Sequence, residues 1–179
     1  MNGDLAEFLL PAQGSPINFR NVYPAEFLST EPQRQLPVWH LVGGLDPHEA
    51  KDLSDKSLQD GYPELLSDWI DRDGLFCLKV KLRGDDAAWD YDRLVRVGRI
   101  GRLHGVKWLS ADFNCTVREP SYVIDILDRL ARDEADIYEM ISYVEQPFAY
   151  DLEENRIDVR EVARRKPIFW TKVLMIGGS

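Results

Sequence analysis

Cysteine and histidine are scarce in this chain. The two cysteines, Cys77 and Cys115, have no zinc-ligand spacing with the three histidines. Both fall in or beside apolar segments and are read as buried, reduced thiols. No apolar run is long enough to span a membrane. The first residues, Met1-Asn-Gly-Asp-Leu-Ala-Glu7, lack the basic start and apolar stretch of a signal peptide. Positive charge is also short. Lysine and arginine number 22 against 31 acids, for a net charge of −9, which argues against general nucleic-acid binding. Glycine-rich phosphate loops are missing too, because Val42-Gly-Gly44 and Ile176-Gly-Gly178 lack the required spacing. A cytoplasmic protein without membrane or nucleic-acid partners is expected.

What is present is one sizeable core. The 179 residues are 44% hydrophobic and 30% charged, as in a soluble globular domain. Residues 1–35 carry scattered apolar side chains and several prolines without a period, with a short helix expected at 25–28. From Leu36 onward the pattern alternates. Strands are predicted at 36–44, 75–81, 106–112, 140–145 and 167–169. Helices are predicted from Pro63 to Gly74, from Trp89 to His104, from Pro120 onward and at 158–165. Residues 46–60 read as a polar loop. Strands alternating with helices imply right-handed crossovers and a parallel α/β sheet.

Charged residues close three of these apolar runs. Leu75-Phe-Cys-Leu-Lys79-Val-Lys81 ends in two lysines, 106–112 ends in Asp112 with Asn114 just beyond, and 140–145 ends in Glu145. The steps are 31 (112 − 81) and 33 (145 − 112) residues. A (β/α)8 barrel has about 31 residues per unit and carries its catalytic groups at the C-terminal strand ends. Asp112 and Glu145 would then converge as hard oxygen donors suited to Mg²⁺. Lys79 and Lys81 point the same way, because strand side chains alternate with period two. A lysine in a dry pocket beside a second cation is expected to have a lowered pKa and to serve as a general base. A nearby Mg²⁺ would stabilise the enolate formed when a proton leaves the carbon beside a carboxylate.

Lys79-Val-Lys81, Asp112-Phe-Asn114 and Glu145-Gln-Pro147 together resemble the metal-binding barrel of the enolase superfamily. They are most similar to its mandelate racemase/muconate lactonizing enzyme branch, over about 36–169. The resemblance implies a partial TIM-type barrel of about five βα units. It implies Lys81 as the base with Lys79 beside it, Asp112 and Glu145 as the first two Mg²⁺ ligands, and Asn114 as a polar neighbour. It also implies a small carboxylate substrate that is racemised, cycloisomerised or dehydrated.

The chain departs from this pattern at both ends. Residues 1–35 are too few for the family's capping domain, and residues 170–179 lack the acidic stretch expected after strand five. Trp170-Thr-Lys-Val-Leu-Met-Ile-Gly can be back-translated so that a neighbouring frame spells Asp-Glu-Ser. A one-base loss that truncated a longer gene is therefore expected, and sequencing that stretch checks it. On this view the product is an inactive remnant, or it pairs with a complementing fragment or as a homo-oligomer. A barrel glycosidase using Asp112 and Glu145 as its acid–base pair, and a doubly wound binding domain, are the other readings. Elsewhere His40 is expected to be a hydrogen-bonded core residue. His104, Arg164, Arg165 and Lys166 are expected to favour helix C-termini. Asp151, Glu153 and Glu154 are expected to form a solvated loop.

Overall fold

The computed structural model describes residues 3–7, 9, 18–29, 31–32, 34, 36–53, 60–151 and 154–171. Glu153 and the tail at 172–179, where the frameshift was expected, lie outside the described residues. The chain divides into two units, Met1–Pro37 and Val38–Ser179. In the first, tight 3-10 turns occupy Leu5–Glu7 and Pro24–Phe27, and the Leu5 N–H donates to the Val22 carbonyl at 2.7 Å.

The second unit is a five-stranded parallel sheet with strands β1 (His40–Val42), β2 (Cys77–Lys81), β3 (Trp108–Asp112), β4 (Ile141–Glu145) and β5 (Ile168–Phe169). Spatial order follows chain order from β1 to β5, and every neighbouring pair is parallel. A doubly wound sheet reverses its strand order at a switch point. This sheet has no reversal, so that reading is overturned and the winding is that of successive barrel units.

Helices α1 (Leu66–Asp73), α2 (Ala87–Leu103), α3 (Pro120–Asp133), α4 (Ala135–Met140) and α5 (Arg160–Arg165) connect the strands. α1 starts at Leu66 and not at Pro63, because Leu65 is still extended and the buried pair Leu66 and Ile70 defines the packed turn. Gly74 ends α1 in the left-handed region, with φ 61°. α2 starts two residues before the predicted Trp89, where the Asp86 side chain accepts from the Trp89 N–H at 3.1 Å. α4 was not anticipated. The chain breaks at Glu134, and neither glycine nor proline marks the break. β1 spans only three residues of its predicted run, and Leu36 and Val38 before it are exposed.

Alternate strand residues form the core. Leu78, Val80, Leu109, Ala111 and Val144 are buried with Leu94, Val97, Leu127 and Leu130 of the helices. That interior is tight. A Cβ built on Gly98 of α2 would lie 2.6 Å from Ile137 Cγ2 on α4. Gly98→Ala therefore loses more through overpacking, about 1–3 kcal/mol, than the roughly 1 kcal/mol that helix propensity returns. A lowered urea midpoint checks this. His40 is only half-buried and stacks obliquely on Trp69 at 5.6 Å, so it is not the core residue expected. Cys77 is buried as expected, whereas Cys115 is only partly so.

Candidate lysine–carboxylate site

The register brings the strand-end residues together. Lys81 pairs with Asp112, and Asp112 pairs with Glu145, so the three form one row across β2, β3 and β4. One row below, Lys79 pairs with Ser110, and Ser110 with Tyr143. Past the strand ends the ladder continues. The Leu82 N–H donates to the Asp112 carbonyl at 2.9 Å, and the Phe113 N–H to the Glu145 carbonyl at 3.1 Å. The backbone under both acids is thereby held on two sides.

A bulge decides which way Glu145 points. Leu109 pairs with Ile141, but Ser110 pairs with Tyr143, so Ser142 is the extra residue. In a regular strand Glu145 would share the helix-facing side of Ile141, four residues earlier. The inserted residue reverses that parity and turns Glu145 onto the face of Asp112 and the lysines.

Contacts on this face are direct. Lys79 Nζ lies 2.6 Å from Glu145 Oε1 and 3.0 Å from Asp112 Oδ2. Lys81 Nζ donates to Asp112 Oδ2 and, at 2.6 Å, to Asn114 Oδ1. Asn114 sits in the left-handed region, φ 53°, and its N–H donates to Asp112 Oδ1 at 2.9 Å. Asparagine tolerates that backbone better than most residues. All five residues singled out in the sequence are therefore gathered in one cluster. Asp112 is 0% and Glu145 3% exposed, whereas the side chains of Lys79 and Lys81 keep 25% and 27%.

Electrostatics follow from this arrangement. Burial would raise the Asp112 carboxyl, but Lys81, the Asn114 N–H and Lys79 outweigh burial and hold it below the usual carboxylate range. Burial pulls the Lys79 ammonium down, yet Glu145 and Asp112 more than offset it, and its pKa is raised. The lowered lysine pKa expected from the sequence is thus reversed at Lys79. The expected second cation is outweighed by two carboxylates in direct contact.

Two features were missed in the sequence. Beside the lysines the same face carries an aromatic row, with Trp39 5.2 Å from Tyr143 and Tyr143 5.5 Å from Phe169. Behind the C-terminal end of β2, buried Asp90 of α2 accepts from the Arg83 N–H (2.7 Å), the Gly84 N–H (2.9 Å) and the Tyr122 hydroxyl (2.7 Å). Asp90 thus ties the turn after Lys81 to α2 and α3. Its position on a helix four residues after Asp86 disguised it as an ordinary helical acid.

A cavity of about 540 Å³ opens between β1 and α1, and none of the five clustered residues lines it. Two of its acids are already engaged, Asp46 by the Gly43 N–H (2.6 Å) and Asp52 by Arg96 (2.8 Å). The strand-end cluster is therefore the stronger chemical candidate.

No family model matches the chain, and no curated protein matches it. Among solved structures, it is similar to a mandelate racemase/muconate lactonizing protein from Herpetosiphon aurantiacus. The alignment has 18% identity and a TM-score of 0.47, and covers 58% of this chain and 27% of that one. No helix among the described residues is long and apolar enough to cross a membrane.

The donor set suits a hard cation. Two buried carboxylates share one positively charged atom, Lys79 Nζ, and hard oxygen donors of this kind are what such a cation takes. Among the described residues no group of three His, Cys, Asp or Glu could hold a metal.

Proposed function

We propose that this face belongs to a Mg²⁺-assisted site that removes the proton beside a carboxylate, in the manner of the enolase-superfamily branch its motifs resemble. The observation that carries the reading is the single row of Lys81, Asp112 and Glu145 at successive strand ends. Asp112 and Glu145 would hold the cation, which supplies positive charge to the enolate oxygens. Lys81, in its neutral form, takes the α-proton on Nζ. Asn114 Oδ1 fixes that nitrogen within the cluster. Lys79 sits beside it and orients the substrate carboxylate through charge. The aromatic row restricts water on one flank. Racemisation, cycloisomerisation or dehydration of a small carboxylate follows from the same first step.

A glycosidase reading is less well supported. It gives no role to Lys79 and Lys81, which contact the two carboxylates directly. A second reading, an inactive piece that needs a complementing chain, is favoured by one observation. Asp112 and Glu145 lack a third carboxylate among the described residues.

Proton NMR in D₂O with a panel of α-protonated carboxylates and Mg²⁺ tests the proposal. Deuterium enters the α-position with the wild type, and Lys81→Met slows this at least about a hundredfold while leaving the circular dichroism unchanged. Exchange that survives Lys81→Met at full rate overturns the assignment of the base. Exchange that appears only when a complementing chain is added supports the second reading.

A further inference from the structure

We propose that the Lys79 side chain is a built-in competitor for the cation position. A divalent ion then enters the Asp112–Glu145 pair only by displacing this ammonium, while Lys81 stays in place. This rests on the reading of those two acids as the cation-holding pair.

The two lysines are not equivalent. Lys79 Nζ bridges both carboxylates, at 2.6 Å and 3.0 Å, and has no other hydrogen-bond acceptor among the described residues. Lys81 touches only one carboxylate and has a separate anchor in Asn114 Oδ1 at 2.6 Å. An ion shared by Asp112 and Glu145 would occupy the place that Lys79 Nζ holds, so Lys79 loses both its partners. Lys81 keeps Asn114.

Charge balance points the same way. Before a cation enters and Lys81 gives up its proton, two ammoniums and two carboxylates sum to zero in this cluster. A dication added without displacement would leave an excess of two positive charges around acids that are at most 3% exposed. Lys79 also has a way out. Its side chain is a flexible four-carbon stem, one quarter exposed on the open sheet face. Displaced, it regains water or meets the substrate carboxylate that it would orient, whereas both acids remain buried.

Mn²⁺ serves as the probe, read by the electron paramagnetic resonance of the free ion and by isothermal calorimetry on the full chain. Lys79→Met binds Mn²⁺ tighter than wild type by on the order of tenfold to a hundredfold, since one opposing charge is removed at contact distance. Lys81→Met gives a distinctly smaller gain. Asp112→Asn in the Lys79→Met background removes the binding. Lys79→Gln, with circular dichroism as the check on folding, gives the same direction should the methionine variant fold poorly.

Equal gains at Lys79 and Lys81 overturn the proposal, because a general field effect then suffices. Wild type and Lys79→Met binding equally tightly, in an Asp112-dependent way, overturns the competition and leaves the cation-holding pair standing. Absence of Mn²⁺ binding in every variant overturns both.

Discussion

Asp112→Asn is expected to remove about 2–3 kcal/mol of stability at neutral pH and, on the proposed function, to abolish cation binding at the strand ends. Breaking a buried ion pair from one side ordinarily costs about 3–5 kcal/mol, because the remaining charge is left uncompensated. The lower figure applies here because Lys79 keeps Glu145, Lys81 keeps Asn114, and both lysines are one quarter exposed and regain water. Asparagine keeps the shape and one acceptor for the Asn114 N–H, so the loss reports charge more than packing. Glu145→Gln costs less, because among the described residues the Glu145 carboxylate accepts from Lys79 alone, whereas both lysines converge on Asp112. Urea unfolding of the two variants side by side gives the order.

The pH profile of the same variants carries a sign. Asp112 titrates below its ordinary value of 3.8 in the folded protein, so the unfolded chain binds its proton more readily. Its contribution is complete above pH 3.8 and is lost as the pH falls through the depressed folded value. Wild type and Asp112→Asn should therefore differ most near neutrality and converge in acid. Lys79 acts at the other end. Its pKa is raised above 10.5, so its contribution is present below pH 10.5 and disappears as the pH rises through the folded value. Acid curves that stay parallel down to the lowest measurable pH would contradict the pairing of Asp112 with the lysines.

Asp90→Ala is expected to be the most damaging single change away from the site, at about 3–5 kcal/mol. Three donors converge on this fully buried carboxylate: the Arg83 N–H, the Gly84 N–H and the Tyr122 hydroxyl. Each buried donor left without a partner costs about 1–3 kcal/mol, and exposed Arg83 limits the total because its backbone regains water. At about 2–4 °C per kcal/mol for a chain of this size, the melting temperature falls by roughly 6–20 °C. Burial, with Asp90 beside it, pushes the Tyr122 phenol well above its ordinary pKa, so at neutral pH it is a donor to the carboxylate. Tyr122→Phe removes one donor together with its need and costs only about 1 kcal/mol. The double variant should be less damaging than the sum of the two, since the residues share one hydrogen bond. Gly84 explains why the turn needs this clamp. It has φ +75°, and an added Cβ would collide with the Thr116 hydroxyl, so the backbone after Lys81 has little freedom to find other partners.

Much of the architecture was legible in the linear pattern because it is local. Apolar runs of β-branched and aromatic residues gave four strands to within about two residues, β1 being shorter than its run. The apolar stripe Val123, Ile126, Leu127 and Leu130 marked the buried side of α3. Period-two alternation alone put Lys79 and Lys81 on one face, and the steps to Asp112 and Glu145 marked them as strand-end residues. The stripes and the alternation depend on neighbours within a few turns of one helix or within one strand, and the steps are counted along the chain, so the chain order contains them.

Only the tertiary structure decided the rest. The bulge at Ser142 turns Glu145 toward the lysines, and a plain alternation count from Ile141 would have turned it away. The choice of Asp112 as the shared acceptor of both lysines depends on the register between β2 and β3, and the rise of the Lys79 pKa depends on Glu145 of β4 together with Asp112. The Asp90 clamp joins residues up to 32 apart through a helix face that looks polar in the sequence. Unreversed strand order, which sets this sheet apart from a doubly wound one, is a property of the crossovers as a set. In each case the deciding energy lies in a contact between distant segments. Local propensity places a residue on an element, but packing and register determine what that residue meets.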